Sequence, residues 1–213
     1  MAVKKYSLKT DGDKKLSENF KVKEFRSRDG ADEILIDEKL VNLLQKLRDK
    51  FGIINISSAY RTKSYNKKVG GVSNSQHLFG LAADITISDN GKLEEAARYA
   101  EKIGFTGIGL DKNYENFIHV DTRSGKSFFK YKSNGSTYSV NSFYETVKLG
   151  SKGESVKLLQ KNLLSLGFKG ADGKEIIPDG VFGKNTEFAL KNFQKNKGLI
   201  ADGIAGHNTW INL

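Results

Sequence analysis

The sequence predicts an α+β amino-terminal domain, with a central antiparallel sheet flanked by helices, followed by a small all-α domain of three helices. Three observations carry this. Helix-period and strand-period segments mix through residues 37–140 without βαβ regularity. Asn134-Gly135, set between two short apolar runs, is a hairpin turn signal. Beyond residue 149 an internal repeat with helical surroundings takes over. The expected divisions are 1–140, a linker at 141–148, and 149–213.

Residues 1–35 are polar, with Phe20, Val22 and Phe25 as expected anchors. Asp37 is placed to cap a helix on which Leu40, Leu43, Leu44 and Leu47 recur at three- and four-residue spacing. Gly52 ends it, and residues 53–57 read as a short strand. Ser58-Ala59-Tyr60-Arg61 follows, where side chains often project into a site, although a solvated surface arginine would look the same. Gly70-Gly71 marks a tight loop. After Asp84, Ile85-Thr86-Ile87 alternates as a strand does. Residues 92–103 read as an amphipathic helix ended by Gly104. Strands are expected at 105–110, 117–123, 128–131 and 137–140.

In the second domain, Asp179-Gly180-Val181-Phe182-Gly183-Lys184-Asn185-Thr186 recurs as Asp202-Gly203-Ile204-Ala205-Gly206-His207-Asn208-Thr209, 23 residues later. Each copy reads as a glycine turn followed by a helix cap at Asn or Thr. Val156, Leu159, Leu163, Leu164 and Leu166 belong to an earlier helix, and Phe188, Leu190 and Phe193 to the one after the first turn. His207 reads as a solvated turn residue and Trp210 as core.

Composition narrows the chemistry. The chain of 213 residues has no cysteine, which excludes disulfide scaffolds, thiolate metal sites and cysteine nucleophiles. Any metal must be held by nitrogen and oxygen. No apolar run approaches the roughly 18 residues of a membrane span. The net charge of +10 is spread along the chain, 25 basic against 19 acidic residues over 1–147 and 10 against 6 over 148–213. Such a surface attracts polyanions; no nucleic-acid recognition motif accompanies it, and an anionic cell wall would be attracted equally.

Two of only three histidines lie in ligand-like settings. His77 precedes Asp84 by seven residues, with small Gly80, Ala82 and Ala83 between them, expected to let the backbone pass close to a metal. His119 sits in the strand-like run Phe117-Ile118-His119-Val120-Asp121, where alternation puts Asp121 and Arg123 on its face. Two imidazoles and a carboxylate form a ligand set that leaves an open position on a catalytic zinc. A lone histidine is more often a hydrogen-bonded structural residue, and that alternative stands for each.

Together, Ser58-Ala59-Tyr60-Arg61, Asn66, Gly70-Gly71, Ser75-x-His77-x-x-Gly80-x-Ala82-x-Asp84 and Phe117-x-His119-Val120-Asp121 resemble the zinc D-alanyl-D-alanine carboxypeptidase family. That family belongs to the superfamily of the hedgehog signalling domain and lysostaphin-type peptidases. The resemblance covers residues of about 18–125. The second half, with Leu149-Gly150, Gly153, Val156, Leu159-Gln160 and both Asp-Gly turns, resembles the peptidoglycan-binding domain found at the ends of wall hydrolases.

The resemblance implies Zn2+ held by His77, Asp84 and His119, and makes Arg61 the residue that polarises the scissile carbonyl or holds a substrate carboxylate. Tyr60, Asn66, Ser75, Gln76 and Arg123 are the expected substrate contacts. Family members often place an acidic base three residues before the last histidine; here Asn116 stands there. Asp121 is then the first choice for the base and Glu115 the second, with an orienting role for Asp121 as the alternative. The implied activity is hydrolysis of an amide in the stem peptide or cross-link of bacterial peptidoglycan. The alternative is a non-catalytic wall-binding protein that keeps the metal for structure. The start of the chain is basic but lacks the apolar segment of a secretory signal. That suits a phage endolysin made in the host cytoplasm and brought to the wall by holin-type release, or a prophage or bacterial lysin released by lysis. The remaining expectations are a monomer with no nucleic-acid partner and no membrane insertion.

Overall fold

The computed structural model describes residues 3–112 and 115–213. The chain forms two compact units that divide between Phe143 and Tyr144. Among the described residues, no helix is long and apolar enough to cross a membrane.

The first unit opens with β1 (Val3–Ser7), a short helix α1 (Leu8–Asp11) and β2 (Glu33–Asp37), the two strands pairing antiparallel as a separate ribbon. Helix α2 (Glu38–Phe51) follows, then β3 (Ile54–Ser58), α3 (Lys63–Lys68), β4 (Ala82–Ile87) and α4 (Leu93–Ile103). The unit is completed by β5 (Gly107–Asp111), β6 (Phe117–Asp121), β7 (Ser127–Tyr131) and β8 (Thr137–Ser139). Strands β3 to β8 make one sheet in the order β3-β4-β6-β5-β7-β8. The expected antiparallel sheet is thus present with one exception, since β5 and β7 pair parallel. The Asn134-Gly135 turn joins β7 to antiparallel β8, with Gly135 at φ 78°.

Strand alternation gives this sheet two chemically different faces. Ala83, Ile85 and Ile87 on β4, Ile118 and Val120 on β6, and Ile108 and Leu110 on β5 are all buried. They share one core with Leu40, Leu44 and Leu47 of α2 and Leu93, Ala96, Ala97 and Ala100 of α4. Each fully buried leucine contributes about 1.5–3 kcal/mol relative to exposure, which is why the leucine stripe is packing. The opposite face carries the polar residues. Cross-strand register sets Asp84 beside His119, His119 beside Gly109 and Gly109 beside Phe129. The next row is Ala82, Asp121, Gly107 and Ser127.

Phe20, Val22 and Phe25 are buried as expected. Two local expectations are corrected. Asp37 occupies the N-cap position of α2, yet its side chain caps nothing. It is buried, its Oδ2 accepts from Thr122 Oγ1 at 2.7 Å, and among the described residues Oδ1 has no partner. Gly80 is small for the sake of β2: at φ +68°, a Cβ there would stand 2.3 Å from the Leu35 carbonyl oxygen. Only glycine tolerates both that conformation and that approach. The contact is sealed by Asp37 N donating to Gly80 O at 3.0 Å.

The second unit consists of α5 (Glu154–Ser165), α6 (Lys184–Asn196) and α7 (His207–Asn212). Its core includes Val156, Leu159, Leu163, Leu190, Phe193 and Trp210. The repeat is real but works differently from a pair of Asn or Thr caps, because Gly183 and Gly206 hold the N-cap positions. A buried glutamine organises each copy instead. Gln160 Nε2 donates to Asp179 Oδ1, Val181 O and Thr186 Oγ1, while its Oε1 accepts from Gly180 N. Gln194 does the same with Asp202 Oδ1, Ile204 O, Thr209 Oγ1 and Gly203 N. His207 begins α7 and is half-buried rather than a solvated turn residue.

Residues 141–148, expected as a linker, are taken up by the two units. Glu101 accepts from Ser142 Oγ and Phe143 N, both at 2.6 Å, in the first. In the second, Tyr144 stacks on Trp210 with centroids 5.2 Å apart, and Trp210 Nε1 donates to Glu145 O.

Candidate active site

His77 lies in a 3-10 turn, Gln76–Phe79, held against the end of β3 by the bond from Arg61 N to His77 O at 3.1 Å. Its Nδ1 is 2.6 Å from the Ala59 carbonyl oxygen, which can only accept. Nδ1 therefore carries the proton and Nε2 presents its lone pair. Asp84 and His119 face each other across the β4–β6 ladder. His119 Nδ1 is 2.9 Å from Asp84 Oδ1, and His77 Nε2 is 3.3 Å from both.

The other nitrogen of His119, Nε2, donates to Asp121 Oδ2 at 3.0 Å. Asp121 is fully buried and is held in turn by Arg123, whose Nε reaches both carboxylate oxygens at 2.9 Å. Gly107 makes room for it; a Cβ there would fall 2.1 Å from Asp121 Oδ2. The same device works one row along, where a Cβ on Gly109 would stand 2.3 Å from the Phe129 ring, which lies against His119 at 5.8 Å.

Ion pairs run through the cluster, from Arg61 to Asp84, His119, Asp121 and Arg123. Burial alone would lower His119, yet Asp121 and Asp84 on its two sides push it up to about 9. Burial would raise Asp84, but the two imidazoles hold its carboxyl well below the usual carboxylate range. Asp121 is likewise brought down to about 2 by His119 and Arg123 against burial. Three donors separated by 2.9–3.3 Å also match the spacing of ligands around zinc. Bonds of about 2.0–2.1 Å in a tetrahedron give edges of roughly 3.3 Å. Each histidine has its second nitrogen fixed by an oxygen, as metal-ligating imidazoles require. The residues fit a zinc ion.

A cleft of about 270 Å³ opens beside this cluster, lined by Ser58, Arg61, Tyr65, Asp84, Glu115 and Phe117 among others. Arg61 spans from Ser58 Oγ (2.8 Å from Nε) to Asp84 Oδ2 (2.6 Å from NH2), so it braces the Asp84 carboxylate from the cleft side. Glu115 is exposed at the cleft, on the chain leading into β6. Asp121 is on the far side of the His119 ring, away from Asp84. Larger by volume, about 750 Å³, is a cavity lined by Lys4, Lys5, Lys14 and Lys15, which includes none of these residues.

The expected substrate contacts separate. Ser75 and Gln76 are half-buried at the start of the His77 turn, with Gln76 Nε2 donating to Asn74 O. Tyr60 belongs to the core, its hydroxyl 3.5 Å from Glu33 Oε1. Asn66 is buried on α3 and ties down the glycine loop through Nδ2 to Val72 O at 2.9 Å. Both were expected in the cleft because they accompany the motif; burial puts them in its scaffold. Arg123 is engaged with Asp121. One residue escaped notice, Tyr131, whose ring meets Phe117 at 5.3 Å and Phe129 at 5.5 Å. Burial, then Asp84 and Asp111, push its phenol up to about 12. The alternation Ser127, Phe129, Tyr131 carried the signal that it shares the face of His119.

The profile of the Peptidase M15 family matches residues 15–121, which include every residue of the cluster. The chain belongs to the Peptidase M15 family. A peptidoglycan binding domain profile matches residues 152–213. Among curated relatives of this M15 chain, a spore cortex-lytic enzyme of Oceanobacillus iheyensis is 40% identical over 102 residues, 47% of this chain and 34% of the relative. A zinc D-Ala-D-Ala carboxypeptidase of Streptomyces albus G is 43% identical over 65 residues, 30% of this chain and 24% of the relative. The chain thus spans about a third or less of the length of either. The crystal structure of the SleB N-terminal domain shares 41% identity over 31% of this chain and 84% of its own, with a TM-score of 0.28.

Proposed function

We propose that this M15 chain is a zinc-dependent peptidoglycan hydrolase that cuts an amide bond in the stem peptide or cross-link of the bacterial wall. Its carboxy-terminal unit keeps it on that wall, in an endolysin-like, bacteriolytic role. The observation that carries the reading is the convergence of His77 Nε2, Asp84 Oδ1 and His119 Nδ1 beside an open cleft. Zinc, when bound, supplies Lewis-acid chemistry and makes water a nucleophile near neutral pH.

The chain's own residues do the rest. Ala59 O and Asp121 hold the two imidazoles in the required tautomers. Arg61 keeps Asp84 in place and offers its guanidinium to the scissile carbonyl oxygen as negative charge develops there. Glu115, rather than the enclosed Asp121, takes the proton from the attacking water and returns it to the leaving amine. Tyr131 remains protonated and closes the aromatic side of the site.

Clearance of purified cell walls, followed by turbidity with and without chelator, tests this. Equal clearance after exhaustive metal removal would sink the zinc mechanism. Mass spectrometry of defined muropeptides then names the bond, a lost terminal alanine marking a carboxypeptidase and an internal cut an endopeptidase. Asn116, standing where an acid is usual, favours a second reading, wall binding without catalysis. In that case the protein sediments with walls and leaves their turbidity and muropeptides unchanged.

A further inference from the structure

The cleft continues past the metal-ligand cluster along a segment outside every motif. Residues after the 3-10 turn Val22–Phe25 run extended, Arg26 at φ −62° and ψ 150°. They lie beside the chain leaving β3: Tyr60 N donates to Phe25 O at 3.1 Å and Thr62 N to Ser27 Oγ at 3.2 Å. Alternation buries Phe25 and Ser27 and turns Arg26 and Arg28 outward. Arg28 is anchored through Nε, which donates to Ser57 O at 2.8 Å. Among the described residues, no carboxylate pairs with it.

Arg28 also lines the cleft that holds Arg61, Asp84 and Glu115. An adjoining cavity of about 180 Å³ shares Arg28, Ser57 and Ser58 with that cleft and extends to Arg26 and Asn55. The two form one groove along β3, which is an edge strand of the six-stranded sheet. Three acids stand nearby: Glu24 lines the adjoining cavity and accepts from Lys21 N at 2.7 Å, Asp29 accepts from Thr62 Oγ1, and Glu115 lines the cleft itself. None of them forms an ion pair with Arg28, whose terminal N–H groups face this arm of the groove.

We infer that Arg28 is a specificity-determining residue that takes a free carboxylate of the peptide substrate on the β3 side of the scissile amide. The inference rests on the peptidase reading above. A guanidinium whose Nε is already fixed keeps its terminal N–H groups for a planar anion, at less entropic cost than a free side chain. Stem peptides carry carboxylates that are free in some walls and amidated in others, so this contact discriminates between them.

The test uses the full chain and synthetic stem peptides in which one carboxylate at a time is converted to the carboxamide. Arg28→Gln lowers kcat/KM on the fully ionised peptide by roughly 10- to 100-fold. Amidating one particular carboxylate costs the wild type a similar factor. Combining that peptide with the variant costs no more than either change alone, because both remove the same interaction. Arg28 is exposed, so the substitution spares the core. An unimpaired Arg28→Gln, or losses that multiply for every carboxylate, would overturn the inference. Wild-type cleavage and its chelator sensitivity report separately on the peptidase reading. Should the wild type cut none of the peptides, equilibrium binding of the same set reads the same cycle.

Discussion

Replacing Asp121 by Asn separates orientation from proton transfer. The carboxylate accepts from His119 Nε2, from Arg123 Nε and NH2, and from the Arg123 backbone N–H, and it is fully buried. An amide keeps one acceptor oxygen but turns an NH2 toward either His119 or Arg123, both donors. One charge-assisted hydrogen bond is lost, about 1.5–3 kcal/mol where no water can replace it. If that bond only orients His119, the cost falls on metal affinity, by roughly 10- to 100-fold or about 1.4–2.7 kcal/mol. Competition with a chromogenic chelator measures the affinity; kcat at saturating zinc measures the rest. The expected result is weakened zinc binding with kcat within about tenfold of wild type, the small effect typical of a group outside the proton path. Unchanged affinity with kcat reduced about 10³-fold would make Asp121 the proton carrier and refute the assignment.

Glu115→Gln is expected to lower kcat by roughly 10²- to 10⁴-fold while zinc affinity stays at the wild-type level; full activity in this variant would remove Glu115 from the mechanism. Gly80→Ala places a Cβ against the Leu35 carbonyl at a positive φ, so unfolding in urea should show a loss of at least about 1–3 kcal/mol. A melting curve indistinguishable from wild type would mean the backbone there yields easily. Gln194→Ala leaves the buried Gly203 N–H and Thr209 hydroxyl without their shared partner, and should destabilise the carboxy-terminal unit by about 1–3 kcal/mol. Wall sedimentation should weaken with it, whereas hydrolysis of a small soluble peptide should not.

Much of the site was legible because its residue types are scarce. With three histidines and no cysteine, a nitrogen–oxygen metal site had few ways to be built. Period two around His119 located Asp121 and Arg123 on its face. Leucines at helical spacing marked α2, and the composition change after the β7–β8 hairpin marked a second unit. Gln160 and Gln194 were less legible, since each bonds a turn many residues away and stands at a different distance from it. Asp37 misled because Asp before an apolar helix ordinarily caps it; here Thr122, 85 residues on, claims its oxygen.

The sequence by itself singled out His77, Asp84 and His119, the α+β class and the helical repeat, since all three rest on local spacing or on residue chemistry. Only tertiary structure decided which ring nitrogen each histidine presents, because a backbone carbonyl at Ala59 and a carboxylate at Asp121 make that choice. It alone enclosed Asp121, opened the cleft to Glu115 and Arg28, and packed Tyr131 against Phe117 and Phe129. Those facts depend on strand register and on where distant segments pack, and pairing across a sheet is set by the whole core rather than by neighbours in the chain.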